Sequence, residues 1–229
     1  SICAGASAQI LTNVSGNTGP LTWNWSNNLF GPGPHTVYPT QTTTYSVNVT
    51  NICGVVVPIS TQVVVHPIPV VTVNPQFASG CDAVNLTFTD TTSANAGATY
   101  FWDFGDNSTG TGANTNHDYV TSGTYIVSVN VTSPFGCSGT NSNQVTLLIY
   151  ESPHAQFTMS SDAVTIVEPT IAFSDMCTAN TIGWLWDFGD TTTSTLESPT
   201  HTYQRIGTYN VRLIAESFGG CVDTVDHIL

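Results

Sequence analysis

Lysine is absent from the 229 residues, and only Arg205 and Arg212 carry a fixed positive charge. Against fifteen acids this leaves a formal net charge of −13. Such a surface repels nucleic acid and anionic lipid alike, so a nucleic-acid partner is not expected. Trypsin-like proteases find almost nothing to cut, which suits a chain that works outside a cell. No apolar run approaches the roughly 18 residues that a spanning helix needs, so no membrane span is expected. Close Cys-x-x-Cys pairs, a Gly-x-Ser-x-Gly elbow and an Asp-x-Asp-x-Asp-Gly loop are also missing. Those absences speak against a zinc site, a serine-hydrolase nucleophile and an EF-hand, so no metal, no cofactor and no enzyme activity are expected. The chain begins at Ser1 without Met or a signal peptide, and reads as a mature product or an excerpt.

What is present is a repeat. Trp102-Asp103-Phe104-Gly105-Asp106 returns as Trp186-Asp187-Phe188-Gly189-Asp190, about 84 residues later, and domain-sized self-similarity means tandem copies of one fold. His117, Tyr119, Gly123, Tyr125 and Cys137 likewise return as His201, Tyr203, Gly207, Tyr209 and Cys221. Read by twos, Tyr100, Trp102 and Phe104 share one face while Phe101 and Asp103 share the other, the alternation of a half-buried strand. Gly-Asp followed by Asn107 or Thr191 turns the chain. Downstream, Tyr125, Val127, Val129 and Val131 point inward, as do Tyr209, Val211, Leu213 and Ala215. A Tyr opening a late core strand matches the tyrosine corner of immunoglobulin-like sandwiches, whose hydroxyl bonds to upstream backbone.

The order Trp-Asp-Phe-Gly-Asp, then His-x-Tyr, then Gly-Thr-Tyr before a Val-alternating strand closely resembles the PKD domain. The resemblance covers roughly residues 67 to 229 and implies a seven-stranded β-sandwich of the kind found in surface and secreted proteins. The family's usual Gly after the second Asp is replaced by Asn107 and Thr191, which should alter the turn and leave the fold intact. Residues 1 to 66 lack the pentapeptide. Their pattern Cys3-Ala4-Gly5, Trp23-Asn24-Trp25, Pro39-Thr40 and Thr44-Tyr45-Ser46-Val47 resembles Ig-like modules that accompany PKD repeats in surface proteins of Bacteroidetes.

The expected fold is therefore all-β: three tandem immunoglobulin-like sandwiches in an extended rod, with domains at 1–66, 67–150 and 151–229. The Pro-bearing linkers His66-Pro67-Ile68-Pro69 and Glu151-Ser152-Pro153-His154 should stiffen the joints. A whole strand, Val70 to Asn74, precedes Cys81, whereas two residues precede the matching Cys3. The first domain thus reads as lacking its opening strand. Either the chain is excerpted from a longer repeat protein, or a neighbouring chain supplies that strand, since a bare sheet edge must be covered.

The six cysteines, Cys3, Cys53, Cys81, Cys137, Cys177 and Cys221, fall two per domain. Even parity favours disulfides and an oxidising compartment. Pairing within domains is the favoured reading, with Cys177–Cys221 the easiest to accept. Cys3 and Cys81 sit awkwardly for it, because a bridge tolerates a Cα separation of only about 4.4–6.8 Å and cannot span a strand. Interdomain and interchain bridges stay open. Asp103 with Asp106 and Asp187 with Asp190 could be paired carboxylates or calcium ligands, but two Asp cannot supply the six to eight oxygens calcium wants. They read instead as turn organisers and outer-face residues, and His117 and His201, duplicated in both repeats, read as structural. Likeness to Bacteroidetes proteins would make Thr91, Thr191 and Thr224 glycan acceptors.

The expected role is a non-enzymatic, extracellular, cell-surface structural protein: a subunit or repeat segment of a fibre, stalk or adhesin. Its expected partners are copies of itself or flanking repeats, and surface glycans. The alternative is a carbohydrate-binding or spacer module of a secreted hydrolase, for which Phe30, Phe101 and Phe135 are the available aromatics.

Overall fold

The computed structural model describes residues 1–16, 19–90, 96–141, 145–163, 165 and 167–229. All regular structure among them is strand, and no helix is long and apolar enough to cross a membrane. Three separate cores follow one another along the chain.

The middle unit is the most complete. One sheet joins β8 (Val73–Asn74), β10 (Val84–Asp90) and β13 (Asn114–Tyr119). The other runs β12 (Thr109–Thr111), β11 (Thr99–Asp103), β14 (Gly123–Thr132), β16 (Val145–Tyr150) and β9 (Phe77–Cys81), with β15 (Ser138–Thr140) also on β14. Alternation puts Trp102, Phe104, Val127, Val129 and Val131 between the sheets with Phe88 and Leu147, all essentially without solvent contact. Phe101, one residue out of phase, is exposed. Burying each of these large side chains contributes about 1.5–3 kcal/mol, so the period of two decides which way each strand faces.

The third unit repeats this plan with β17 (Phe157–Met159), β18 (Thr170–Asp175) and β21 (Thr200–Thr202) against β20 (Thr193–Ser194), β19 (Thr181–Asp187), β22 (Asn210–Ser217) and β23 (Val222–Ile228). Phe157, Phe173, Trp186, Phe188 and Leu213 fill its core.

The first unit is thinner. Among the described residues β2 (Ala8–Ile10) pairs only with β4 (His35–Val37), facing β3 (Leu21–Trp25), β5 (Thr43–Asn51) and β6 (Val56–Val63). β1 (Ile2–Cys3) lies parallel to β7 (Val65–His66) over two residue pairs, where β9 and β16 pair over five. Among the described residues, the opening strand that β8 and β17 supply to their sheets has no counterpart here.

One tryptophan per unit organises each core. Trp25, Trp102 and Trp186 stand opposite Val47, Val129 and Leu213. Each indole N–H donates to a loop carbonyl: Gly31 at 2.9 Å, Gly112 at 2.8 Å and Leu196 at 2.8 Å. A buried indole needs such a partner. The expected tyrosine corners are present, the Tyr125 hydroxyl donating to the Thr121 carbonyl at 2.8 Å and Tyr209 to Arg205 at 2.6 Å.

Candidate functional site

The two pentapeptides build matching turns. The Asp103 carboxylate accepts from the Gly105 N–H at 2.9 Å, and Asp106 accepts from the Ser108 N–H at 3.0 Å. In the third unit Asp187 accepts from Gly189 and Asp190 from Thr192, at 2.9 and 3.0 Å. Gly105 and Gly189 take φ of 81° and 77°, and a Cβ at either would meet backbone oxygen at 2.6 or 2.7 Å. No other residue fits there. Asn107 and Thr191, which replace the family's Gly, adopt φ of 72° and 76°. The backbone keeps its left-handed turn and the side chains bear the strain.

Asp106, Ser108 and His117 have the composition of a catalytic triad. Their geometry is different. His117 Nε2 donates to Asp106 Oδ2 at 2.7 Å, and the Ser108 Oγ lies 3.1 Å from the same nitrogen while donating to Asp106 Oδ1 at 2.5 Å. In a triad the carboxylate holds Nδ1 and leaves Nε2 to the nucleophile. Here both converge on Nε2, so the histidine cannot activate the serine. Asp190, Thr192 and His201 repeat the cluster. Each imidazole stacks on the motif phenylalanine, His117 on Phe104 at 4.1 Å and His201 on Phe188 at 4.2 Å. Burial pushes the Asp106 carboxyl up, but hydrogen bonds from Ser108 and His117 outweigh it and bring the pKa to about 2; Asp190 is lowered by the same balance. These clusters lock turns. Tyr119 and Tyr203 complete the lock, donating to the Phe104 and Phe188 carbonyls at 3.0 and 3.1 Å. Among the described residues no group of three or more His, Cys, Asp or Glu could hold a metal ion.

The cysteines overturn the favoured pairing. Cys3 is bonded to Cys137 and Cys81 to Cys221, with Cα separations of 5.6 and 5.8 Å, while Cys53 and Cys177 are free. Both bridges join one unit to the next. The reason lies in where the strand ends fall. Cys81 ends β9 opposite Tyr150, the last residue before the second linker. The β22–β23 hairpin reaches back over that linker and brings Cys221 to it; Cys3 opposite His66, with the β14–β15 hairpin, does the same one unit earlier. Cys177, expected to reach Cys221, lies in the β18–β19 loop with its Sγ 3.6 Å from the Gln156 carbonyl, and burial pushes its thiol up to about 11. Cys53 falls short for a local reason. The three hairpins share one turn, in which the N–H of Asn51, Ser133 or Ser217 donates to the carbonyl of Val55, Cys137 or Cys221. Val55 therefore stands at the bonding position, and Cys53 two residues before it.

Side chains close the joints around the bridges. Phe135 stacks on His66 at 3.8 Å, and Phe218 meets Tyr150 edge-on at 5.8 Å. At the second joint the Ser152 N–H donates to Asp82 Oδ1 at 2.8 Å, which holds that carboxyl below its usual range, and the Ser217 hydroxyl donates to the Glu151 carbonyl at 2.7 Å. Of the other expected positions, Thr91 lies outside the described residues, while Thr191 and Thr224 are exposed on separate loops and strands of the third unit.

Sandwich units in series, locked turns and bridged joints define a tandem array of immunoglobulin-like domains. Within that class the particular family is shown by the sequence: the PKD domain model matches residues 64–147 and 151–228, well over half of the chain, which belongs to the PKD domain family. The PKD1 domain of the Vibrio cholerae metalloprotease PrtV is 27% identical, covering 34% of this chain and 94% of that one, with a TM-score of 0.31. A three-immunoglobulin-domain fragment of titin, an E-to-A variant, is similar over 98% of this chain and 92% of its own, with a TM-score of 0.53 at 14% identity, a likeness of fold. A fragment of a bacterial ice-binding adhesin covers 98% of this chain and 90% of its own at 14% identity and a TM-score of 0.39. No curated protein matches the chain.

Proposed function

We propose that the chain is a non-enzymatic structural segment of an extracellular, cell-surface protein: a repeat or subunit of a stalk, fibre or adhesin, joined to its neighbours by strand donation. The observation that carries this reading is the stagger of the bridges. Cys3–Cys137 and Cys81–Cys221 span 134 and 140 residues, and Cys81 lies inside the first loop, so the two cross-links interlock. An oxidising compartment is where such bonds persist. PKD and immunoglobulin-like domains are generally non-catalytic modules, and a scaffold whose joints are covalently tied holds a shape between two attachment points.

The alternative, a carbohydrate-binding module, needs exposed aromatics gathered into one platform. Phe135 is committed to His66, and Phe30 and Phe101 sit in different units. Small-angle scattering before and after reduction tests the structural reading. An oxidised chain of fixed maximum dimension, whose distance distribution broadens on reduction, is expected. Identical profiles in both states, or saturable retention on a glycan array, would overturn it.

A further inference from the structure

The bare flank of the first unit corresponds to a surface that the other two units cover. Because the hairpins share one turn, residues can be matched directly. Thr50 pairs with Val56 as Thr132 pairs with Ser138 and Glu216 with Val222. Val57 therefore corresponds to Gly139 and Asp223, and Ile59 to Asn141 and Val225. In the second unit the incoming segment lies along this strand: the Pro69 carbonyl is packed so closely on Gly139 that a Cβ there would collide with it, and Val71 forms a parallel bridge with Asn141. Val71 and Val73 are then 3% exposed in the core. In the third unit the Ala155 N–H donates to Asp223 Oδ2 at 2.8 Å, and Ala155 and Phe157 are 4% and 2% exposed. Both covering segments read apolar-x-apolar: Val71-Thr72-Val73 and Ala155-Gln156-Phe157.

In the first unit that place is an open groove of about 360 Å³, lined by Val14, Leu21, Val49, Val55, Val57 and Ile59. Val55, Val56 and Val57 are 56%, 52% and 52% exposed. Along the adjoining edge β1 covers the far end, where the Ile2 N–H donates to the Val64 carbonyl at 2.9 Å, and among the described residues nothing continues that pairing. Val63 and Val64 of the first unit stand where Leu147 and Leu148 pair with Ala78 and Ser79 in the second, because His66 opposite Cys3 matches Tyr150 opposite Cys81.

Resting on the strand-donation part of the proposal above, we infer that this groove takes one extended peptide segment with apolar residues two apart, lying parallel to β6 and contributed from outside these 229 residues. A second copy of the chain is a poor donor. The two segments that cover the other units are already buried there, as is Leu229 at 6%, so donating one would open a sandwich. Backbone pairing along an edge gives such an interaction its affinity, and the alternate side chains give it selectivity.

The test uses a labelled peptide carrying the sequence of residues 69–79, titrated onto the oxidised full chain. Saturable one-to-one binding is expected, abolished by V71D with V73D in the peptide and weakened at least tenfold by Val57→Asp in the chain. Since Val57 is half exposed, this variant should keep its fold, which the disulfides and near-ultraviolet signal of its tryptophans report. Amide exchange should also slow at Val57–Ile59 when the peptide binds. Absence of saturable binding, binding indifferent to these substitutions, or self-association that the peptide does not compete with would overturn the inference. None of those outcomes touches the bridged joints, which the scattering experiment tests separately.

Discussion

Pulling the chain by its two ends should reveal an unusual redundancy. Fully extended, 229 residues reach about 800 Å. With both bridges intact the shortest covalent route crosses from Cys3 to Cys137, runs back along the chain to Cys81, and crosses to Cys221 and on to Leu229, about 70 residues or roughly 240 Å. Removing Cys3–Cys137 leaves the route along the chain to Cys81 and across to Cys221, about 90 residues or roughly 315 Å. Removing Cys81–Cys221 leaves a route across Cys3–Cys137 only about 20 Å longer, because the bridge still excludes its 134-residue loop at about 3.5 Å per residue. Losing either bridge alone therefore adds only about 75 to 95 Å, and only the loss of both releases the full length. The assay is single-molecule force extension on four proteins: wild type, Cys3→Ser/Cys137→Ser, Cys81→Ser/Cys221→Ser and the quadruple variant. Contour lengths of about 240 Å for wild type, about 315 and 335 Å for the two double variants, and about 800 Å for the quadruple variant are expected. Pairing within domains predicts something else for Cys81→Ser/Cys221→Ser, namely release of about 100 residues, some 350 Å. A gain of that size would refute the interlock.

The turn locks make separate predictions. Thr191→Gly should stabilise the third unit by about 1 kcal/mol, because a β-branched residue in the left-handed region is strained, and its melting temperature should rise several degrees; an unchanged or lower value would contradict the strain. Tyr119→Phe leaves the buried Phe104 carbonyl without its donor and should cost about 1–3 kcal/mol, read from urea unfolding. The Asp106 carboxyl titrates below its ordinary value when folded, so it favours the folded state above about pH 4 and loses that effect as pH falls toward about 2. Asp106→Asn should flatten this part of the acid-unfolding curve. An unaltered curve would show that the turn carboxylate is not what titrates.

Much of this was legible in the residues, and the reasons are physical. A period of two in large aromatics leaves no choice about which face of β11 or β19 is buried, and Gly105 and Gly189 sit where backbone approaches too closely for a Cβ. Trp25 could be matched to Trp102 and Trp186 only through strand register, because the first unit carries no pentapeptide around it. The cysteines misled for a similar reason. Two per domain suggests pairs within domains, but a bridge depends on which strand ends abut, and that is fixed by how His66 and Tyr150 deliver the chain into the next sandwich. The awkward placement of Cys3 and Cys81 at the ends of strands was the available signal. The His117 cluster had none beyond its recurrence, since the return of the chain to Asp106 from eleven positions away is a tertiary fact.

Peptide mapping of the unreduced protein tests the central claim most directly. Peptic digestion is suited to it, since the absence of lysine defeats trypsin and low pH suppresses disulfide exchange. Cross-linked fragments joining Cys3 to Cys137 and Cys81 to Cys221, with Cys53 and Cys177 open to alkylation, are expected. Fragments joining Cys3 to Cys53, Cys81 to Cys137 or Cys177 to Cys221 would contradict it.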